Sequence, residues 1–261
     1  MGLIYTIANQ KGGVGKTTST INLGAFLAYY GKNVLLVDID PQANATSSLG
    51  IDKKNTAGGT YEAMLEEKNI RDYILHNPKL RLSILPASPD LAGAEIELVN
   101  EVARETLLKR KLLPLAEEYD YILVDCPPSL GLLTLNGLVA AVNGILIPVQ
   151  CEYLAMEGLG DLVTTIERVR RVISPDLIIR GVILTMFDTR TNLANDVVLE
   201  VKKHFEEQVF NTIVPRNIRL AEAPSYGIPI SLYSPGSIGA NAYQELAKEI
   251  LLGDGHQLPE V

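Results

Sequence analysis

A chain of 261 residues is long enough for one large α/β domain over 1–261, because such domains commonly run past about two hundred residues without splitting. The net charge of −8 excludes a surface coated in basic residues for nucleic acid, so any contact with DNA has to come from a local patch or from dimerisation. Cys126 and Cys151 supply neither a disulfide framework nor a metal-ligand spacing, and His76, His204 and His256 are scattered, which fits a reducing cytosol and gives none of the five a role.

The chain opens with a strand. An apolar run from Leu3 to Ala8 precedes Asn9-Gln10-Lys11-Gly12-Gly13-Val14-Gly15-Lys16-Thr17-Thr18, and a helix-patterned segment from Thr18 to Tyr30 follows. No basic n-region and apolar h-region precede this loop, so a protein that stays inside the cell is expected. Strand, glycine loop and helix in this order are what a phosphate-binding loop requires. Glycines let the backbone curl until successive N–H groups face phosphate oxygens, and the helix aims its positive dipole end at the same place. Lys16 then meets the β- and γ-phosphates, and Thr17 offers its hydroxyl to Mg²⁺.

Against the usual spacing of Gly, four residues, then Gly-Lys-Ser/Thr, the end of the motif fits, Gln10 replaces the first glycine, and a second lysine stands at Lys11. The plain alternative is a glycine turn with chance lysines. In these residues the chain resembles the deviant Walker A ATPases, and NQKGGVGKTT is similar to their ParA/Soj branch, which partitions chromosomes and plasmids. The resemblance implies ATP held by Lys11, Gly12, Gly13, Val14, Gly15, Lys16, Thr17 and Thr18. It also implies that Lys11 reaches across a dimer interface to the partner's nucleotide.

Asn33 to Asp38 reads as a parallel strand buried on both faces, so its end is an active-site edge. There Asp38 and Asp40 stand two apart and project the same way in an extended chain. An Asp-Pro turn that only ends a strand would look similar. The resemblance implies that Asp40 orients the water attacking the γ-phosphate and that Asp38 lies in the Mg²⁺ shell. From Gly50 to Pro89 the pattern reads mostly as loop, with a short helix from Thr60 to Glu67 and a short strand from Leu82 to Pro86. Asp90 to Glu118 reads as helix with a solvated charged face.

Tyr121 to Asp125 repeats the strand-then-acid design, a Walker B arrangement in which the carboxylate of Asp125 holds Mg²⁺, through water in the family it resembles. Pro127 to Leu135 is built as a loop that changes shape with the nucleotide. The apolar region 130–149 is broken by Asn136, Asn143 and Pro148 and reads as a helix followed by a strand rather than a membrane span. Strands at 144–150 and 178–186, with a helix at 156–173, continue the alternation. Strands alternating with helices imply right-handed crossovers and a twisted, mostly parallel sheet with helices on both faces, of the P-loop NTPase kind.

Arg168 to Arg219 holds nine Lys/Arg against six Asp/Glu, net +3, which leaves −11 for the rest. Within it the resemblance implies that Arg190 and Arg219 contact the DNA backbone and that Pro215 and Asn217 border the adenine, although an exposed loop arginine is ordinarily a solvated charge. The expectation is a Mg²⁺- and ATP-dependent homodimer that hydrolyses ATP slowly. The family adds non-specific double-stranded DNA, a ParB-type partner, no membrane, and a place in the cytoplasm on the nucleoid. A MinD-type division switch would need a basic C-terminal helix, and an iron–sulfur reductase would need cluster cysteines. A metabolic ligase or amidase of the same fold is the enzymatic alternative.

Overall fold

The computed structural model describes residues 1–66, 68–153 and 155–258. Its strands are β1 (Leu3–Ile7), β2 (Val34–Asp38), β3 (Leu75–Asn77), β4 (Leu82–Leu85), β5 (Tyr121–Asp125), β6 (Gly144–Gln150) and β7 (Ile179–Thr185). They form one seven-stranded sheet in the order β3-β4-β2-β5-β1-β6-β7, parallel except for β3. β2 and β5 are buried along their whole length, which is why VLLVD and YILVD are uninterrupted apolar runs closed by an acid.

The helices are α1 (Lys16–Tyr29), α2 (Asn44–Ser48), α3 (Thr60–Leu65), α4 (Leu91–Glu97), α5 (Leu107–Leu112), α6 (Leu132–Ala140), α7 (Ala155–Val172), α8 (Asn192–Phe205), α9 (Ile218–Glu222), α10 (Ile230–Tyr233) and α11 (Ile238–Gly253). One face of the sheet carries α3 to α8 and the other carries α1, α2, α9, α10 and α11, each over its own apolar core. The three-layer α/β architecture expected from the alternation is the one observed.

α1 is buried nearly all round, so its polar residues have partners inside the fold. Ser19 shares a hydrogen bond of 3.0 Å with Tyr243 of α11, and Asn22 receives the N–H of Ile230 at 2.8 Å. Register fixes the active edge: Asp38 lies beside Asp125, and Ile7 pairs with Asp125 on the other side. The ends of β1, β2 and β5 therefore converge, and the loop after β1 opens over the two acids.

The structure differs from the sequence expectation at several stretches, among them Leu132 to Leu135, read as loop and placed in α6. β3 falls within the segment read as loop, where its three residues pair antiparallel with β4. The helix expected from Thr60 ends at Leu65, and its predicted last residue, Glu67, lies outside the described residues. The long helix expected over 90–118 is broken between α4 and α5, with Ala103 in the left-handed region at φ 54°. The break is satisfied from across the fold: buried Asn136 of α6 accepts the N–H of Leu108 at 3.1 Å and donates to the carbonyl of Arg104 at 2.9 Å. Backbone groups freed by the interruption thus keep partners, which periodicity within 90–118 does not encode.

Candidate active site

The loop between β1 and α1 turns on two glycines with positive φ, Gly13 at 74° and Gly15 at 92°. A side chain at either position would be strained, so glycine there is a backbone requirement. Neighbouring strands hold the loop. Asn9 donates from Nδ2 to the carbonyl of Pro148 on β6 at 2.7 Å and accepts the N–H of Lys11 at 3.0 Å. Thr185, the last residue of β7, donates to the carbonyl of Val14 at 2.8 Å.

The loop encloses a cavity of about 340 Å³ lined by Gly12, Gly13, Gly15, Lys16, Thr17 and Thr18, with Asp40, Asn44, Ser48, Pro128 and Met186 opposite. A second cavity of about 370 Å³ shares Gly15, Thr18 and Met186 with the first and continues between Val214, Pro215, Asn217 and Tyr243. One is polar and edged by a helix N-terminus, and the other is a mainly apolar slot. A polar cavity at a helix N-terminus suits phosphate groups, and an adjoining apolar slot suits a planar base.

Buried charge is concentrated here. Among the described residues Lys16, Asp38, Asp40 and Asp125 are the charged residues buried as whole residues. Three carboxylates thus meet one buried ammonium. Burial, and then the charge of Asp38, pushes the Asp125 carboxyl well above the ordinary carboxylate range, although Thr17 and Thr20 both donate to it, at 2.7 and 3.0 Å. Burial likewise raises Asp38, offset in part by the bonds that it accepts from Thr46 and from the N–H of Asp40. Burial lowers Lys16, and its ammonium donates to the carbonyl of Lys11 at 3.1 Å.

A divalent cation fits this excess of negative charge beside a threonine hydroxyl. No cluster of three His, Cys, Asp or Glu side chains among the described residues could hold a metal by itself. Phosphate oxygens would be needed to complete a shell around Mg²⁺, which is usually bound by one or two carboxylates together with substrate phosphates.

Gly12, Gly13, Gly15, Lys16, Thr17, Thr18 and Asp40 line the first cavity, and Pro215 and Asn217 line the slot. Val14 is buried behind the loop and contributes its carbonyl. Lys11 lines neither cavity; its side-chain stem passes Gly158 of α7, where an added Cβ would stand 3.5 Å from that of Lys11. Arg190 and Arg219 are exposed and paired with acids, Arg190 with Asp188 at 2.6 Å and Arg219 with Glu222 at 2.8 Å. Thr20, Thr46, Met186 and Tyr243 are additions to the residues read from sequence. Thr20 could have been found from helical spacing, because it lies one turn beyond Lys16 and Thr17 on the face of α1 turned to β5.

A loop of this form over paired strand-end acids defines a P-loop ATPase. Residues 2–179 match the family model described as an AAA domain. The chain is 54% identical to the sporulation initiation inhibitor protein Soj of Bacillus subtilis, over 96% of this chain and 98% of that protein. It is also 54% identical to the chromosome partitioning protein ParA of Myxococcus xanthus, over 99% of this chain and 91% of that protein. Among solved structures it is similar to a Mycobacterium smegmatis protein named cobyrinic acid a,c-diamide synthase, with bound ADP and magnesium. That likeness has a TM-score of 0.85 and 38% identity over 100% of this chain and 99% of the other. The chain belongs to the ParA/Soj family of chromosome-partitioning ATPases. Its activity is ATP hydrolysis.

Proposed function

We propose that this chain is a nucleotide-switched dimer whose ATP form binds DNA without sequence preference and segregates chromosomes or plasmids with a ParB-type partner. The observation that carries the reading is the concentration of buried charge around one phosphate-sized cavity. The N–H groups of the loop and the Lys16 ammonium bind the phosphates, and Pro215 and Asn217 border the adenine. Thr17 and Asp125 hold Mg²⁺ with Asp38 behind them, and the ion supplies positive charge against the phosphate oxygens. Asp40 orients the attacking water from the opposite wall of the cavity.

Lys11 belongs to this reading because its side chain leaves its own protomer's cavity free. It is the residue assigned to a second copy's nucleotide, in the manner of an arginine finger supplied in trans. Arg190 and Arg219 supply phosphate contacts to DNA, and dimerisation doubles them on one surface of a chain whose net charge is −8. No helix among the described residues is long and apolar enough to cross a membrane. The proposed place of action is the cytoplasm, on the nucleoid.

Sedimentation on plain duplex DNA with ADP, ATP and a slowly hydrolysed analogue tests the reading. Binding that needs ATP or the analogue and weakens with salt supports it. Nucleotide-independent binding, or none, overturns it. The name of the Mycobacterium smegmatis neighbour favours a second reading, an ATP-dependent ligase that converts a carboxylate to an amide. Rapid ATP turnover that needs a small-molecule carboxylate and is indifferent to DNA would support that one.

A further inference from the structure

Thr46, in α2, is wholly buried and does not line the phosphate cavity. Its N–H and its hydroxyl both donate to Oδ2 of Asp38, each at 2.8 Å. From the other side the same hydroxyl accepts the N–H of Ala87, just past β4, at 2.9 Å. Asp38 Oδ1 then accepts the N–H of Asp40 at 3.1 Å, and the Asp38 carbonyl accepts the hydroxyl of buried Thr60 at 2.7 Å. Beyond Asp40 the chain closes tightly: Gln42 N–H donates to Asp40 Oδ1 at 2.9 Å and Ala43 N–H to the Asp40 carbonyl at 2.7 Å. Ala43 stands at φ 52°, a left-handed conformation that an alanine keeps only when its surroundings impose it.

We infer that Thr46 is a positioning residue for hydrolysis: acting through Asp38, it fixes the backbone at Asp40 and so the direction in which the Asp40 carboxylate enters the cavity. The inference rests on the reading of Asp40 as the acid that orients water. Its chemistry needs a hydroxyl, which donates to the carboxylate and accepts from Ala87 at once; a methyl does neither. Asp38 with one donor missing can rotate, and the Asp40 N–H bound to its other oxygen follows. Displacement of a reacting geometry by about 1 Å lowers a rate on the order of a hundredfold.

The test uses the full chain with Thr46→Val, Thr46→Ser and Asp40→Ala, measuring kcat and KM for ATP hydrolysis, nucleotide affinity and melting. Thr46→Val should lower kcat by roughly tenfold to a hundredfold while KM and nucleotide affinity stay near the parent's. Thr46→Ser should restore the rate, because it keeps the hydroxyl. If valine does not fold, Thr46→Cys, a weak donor of similar size, should show the same kcat-only loss. A parental kcat in the folded variant overturns the inference, and so does a loss that serine fails to repair. If Asp40→Ala hydrolyses ATP normally, the reading of Asp40 has failed first; if it is inactive and Thr46→Val is not impaired, only the role of Thr46 has failed.

Discussion

At the carboxyl ends of β2 and β5 three buried carboxylates face one ammonium, whereas toward the amino ends the carboxylate of Asp254 meets a full set of partners. There Tyr5 and Tyr121 donate to Asp254 at 2.7 and 3.0 Å, and Arg180 of β7 pairs with it at 3.0 Å. Burial, reinforced by the Asp254 charge, pushes both phenols up, so they remain protonated donors. One end of the sheet closes its electrostatics and ties the end of α11 down. The other leaves charge to be completed by something from outside. Buried charge with its partners present is structure, and buried charge in excess of its partners marks a ligand site.

The largest effect expected from this contrast is at Lys16. Lys16→Ala removes the one buried ammonium facing the three acids and should abolish nucleotide binding, read by titration calorimetry. ATP binding as tight as the parent's would show that the cavity is not the phosphate site. At the closed end, Asp254→Ala strands Arg180 and two phenols and should lower stability by about 3 kcal/mol, with the nucleotide affinity of the folded fraction unchanged. Urea unfolding measures it. A loss of nucleotide binding without a loss of stability would erase the distinction between the two ends.

The acid pair gives a smaller and signed effect. Asp38 and Asp125 are raised above their unfolded values, so in the metal-free protein the folded state holds protons that the unfolded state has released. Stability from this pair is therefore lost as pH rises from the ordinary carboxylate range near about 4 toward neutrality. Asp125→Asn should flatten that part of the curve, and Mg²⁺ with nucleotide should flatten it in the parent. Thermal melts between these limits check the sign. A parent that grows no less stable toward neutral pH than Asp125→Asn contradicts it.

The open end was also the part most legible in the sequence. Gly13, Gly15, Lys16, Thr17 and the acids closing β2 and β5 follow from short spacings on either side of a strand end, and a strand end is visible as the stop of an apolar run. The closed end was not legible, because Tyr5, Tyr121, Arg180 and Asp254 come together only once β1, β5 and β7 are placed. Thr46 and Asn136 were missed for the same reason: each holds backbone groups distant in sequence, Ala87 in one case and Arg104 and Leu108 in the other. β3 was missed because three residues pairing at an edge leave almost no periodic signal.

Between the two extremes lie exposed pairs, and they give the smallest expected effect. Asp188 holds Arg190 by two contacts, at 2.8 and 2.6 Å, and the arginine lowers the Asp188 carboxyl well below its usual range. The Arg190 side chain is largely exposed, so solvent screens the pair and it holds the arginine only weakly. On the proposed reading, a DNA phosphate has to displace a weak internal partner before it gains Arg190. Asp188→Asn should free the guanidinium and tighten ATP-dependent DNA binding by up to about fivefold, the ceiling for a screened surface pair. Arg190→Ala should instead weaken binding uniformly across sequences and lower the log–log salt slope by about 0.9 per contact, roughly twice that in a symmetric dimer. Arg219, held by Glu222, should behave as Arg190 does. Opposite shifts from Asp188→Asn and Arg190→Ala would place the DNA contact at this loop. Unchanged slopes for Arg190→Ala and Arg219→Ala, with dimerisation confirmed, would move the DNA surface to Arg168, Arg170 and Arg171 on α7.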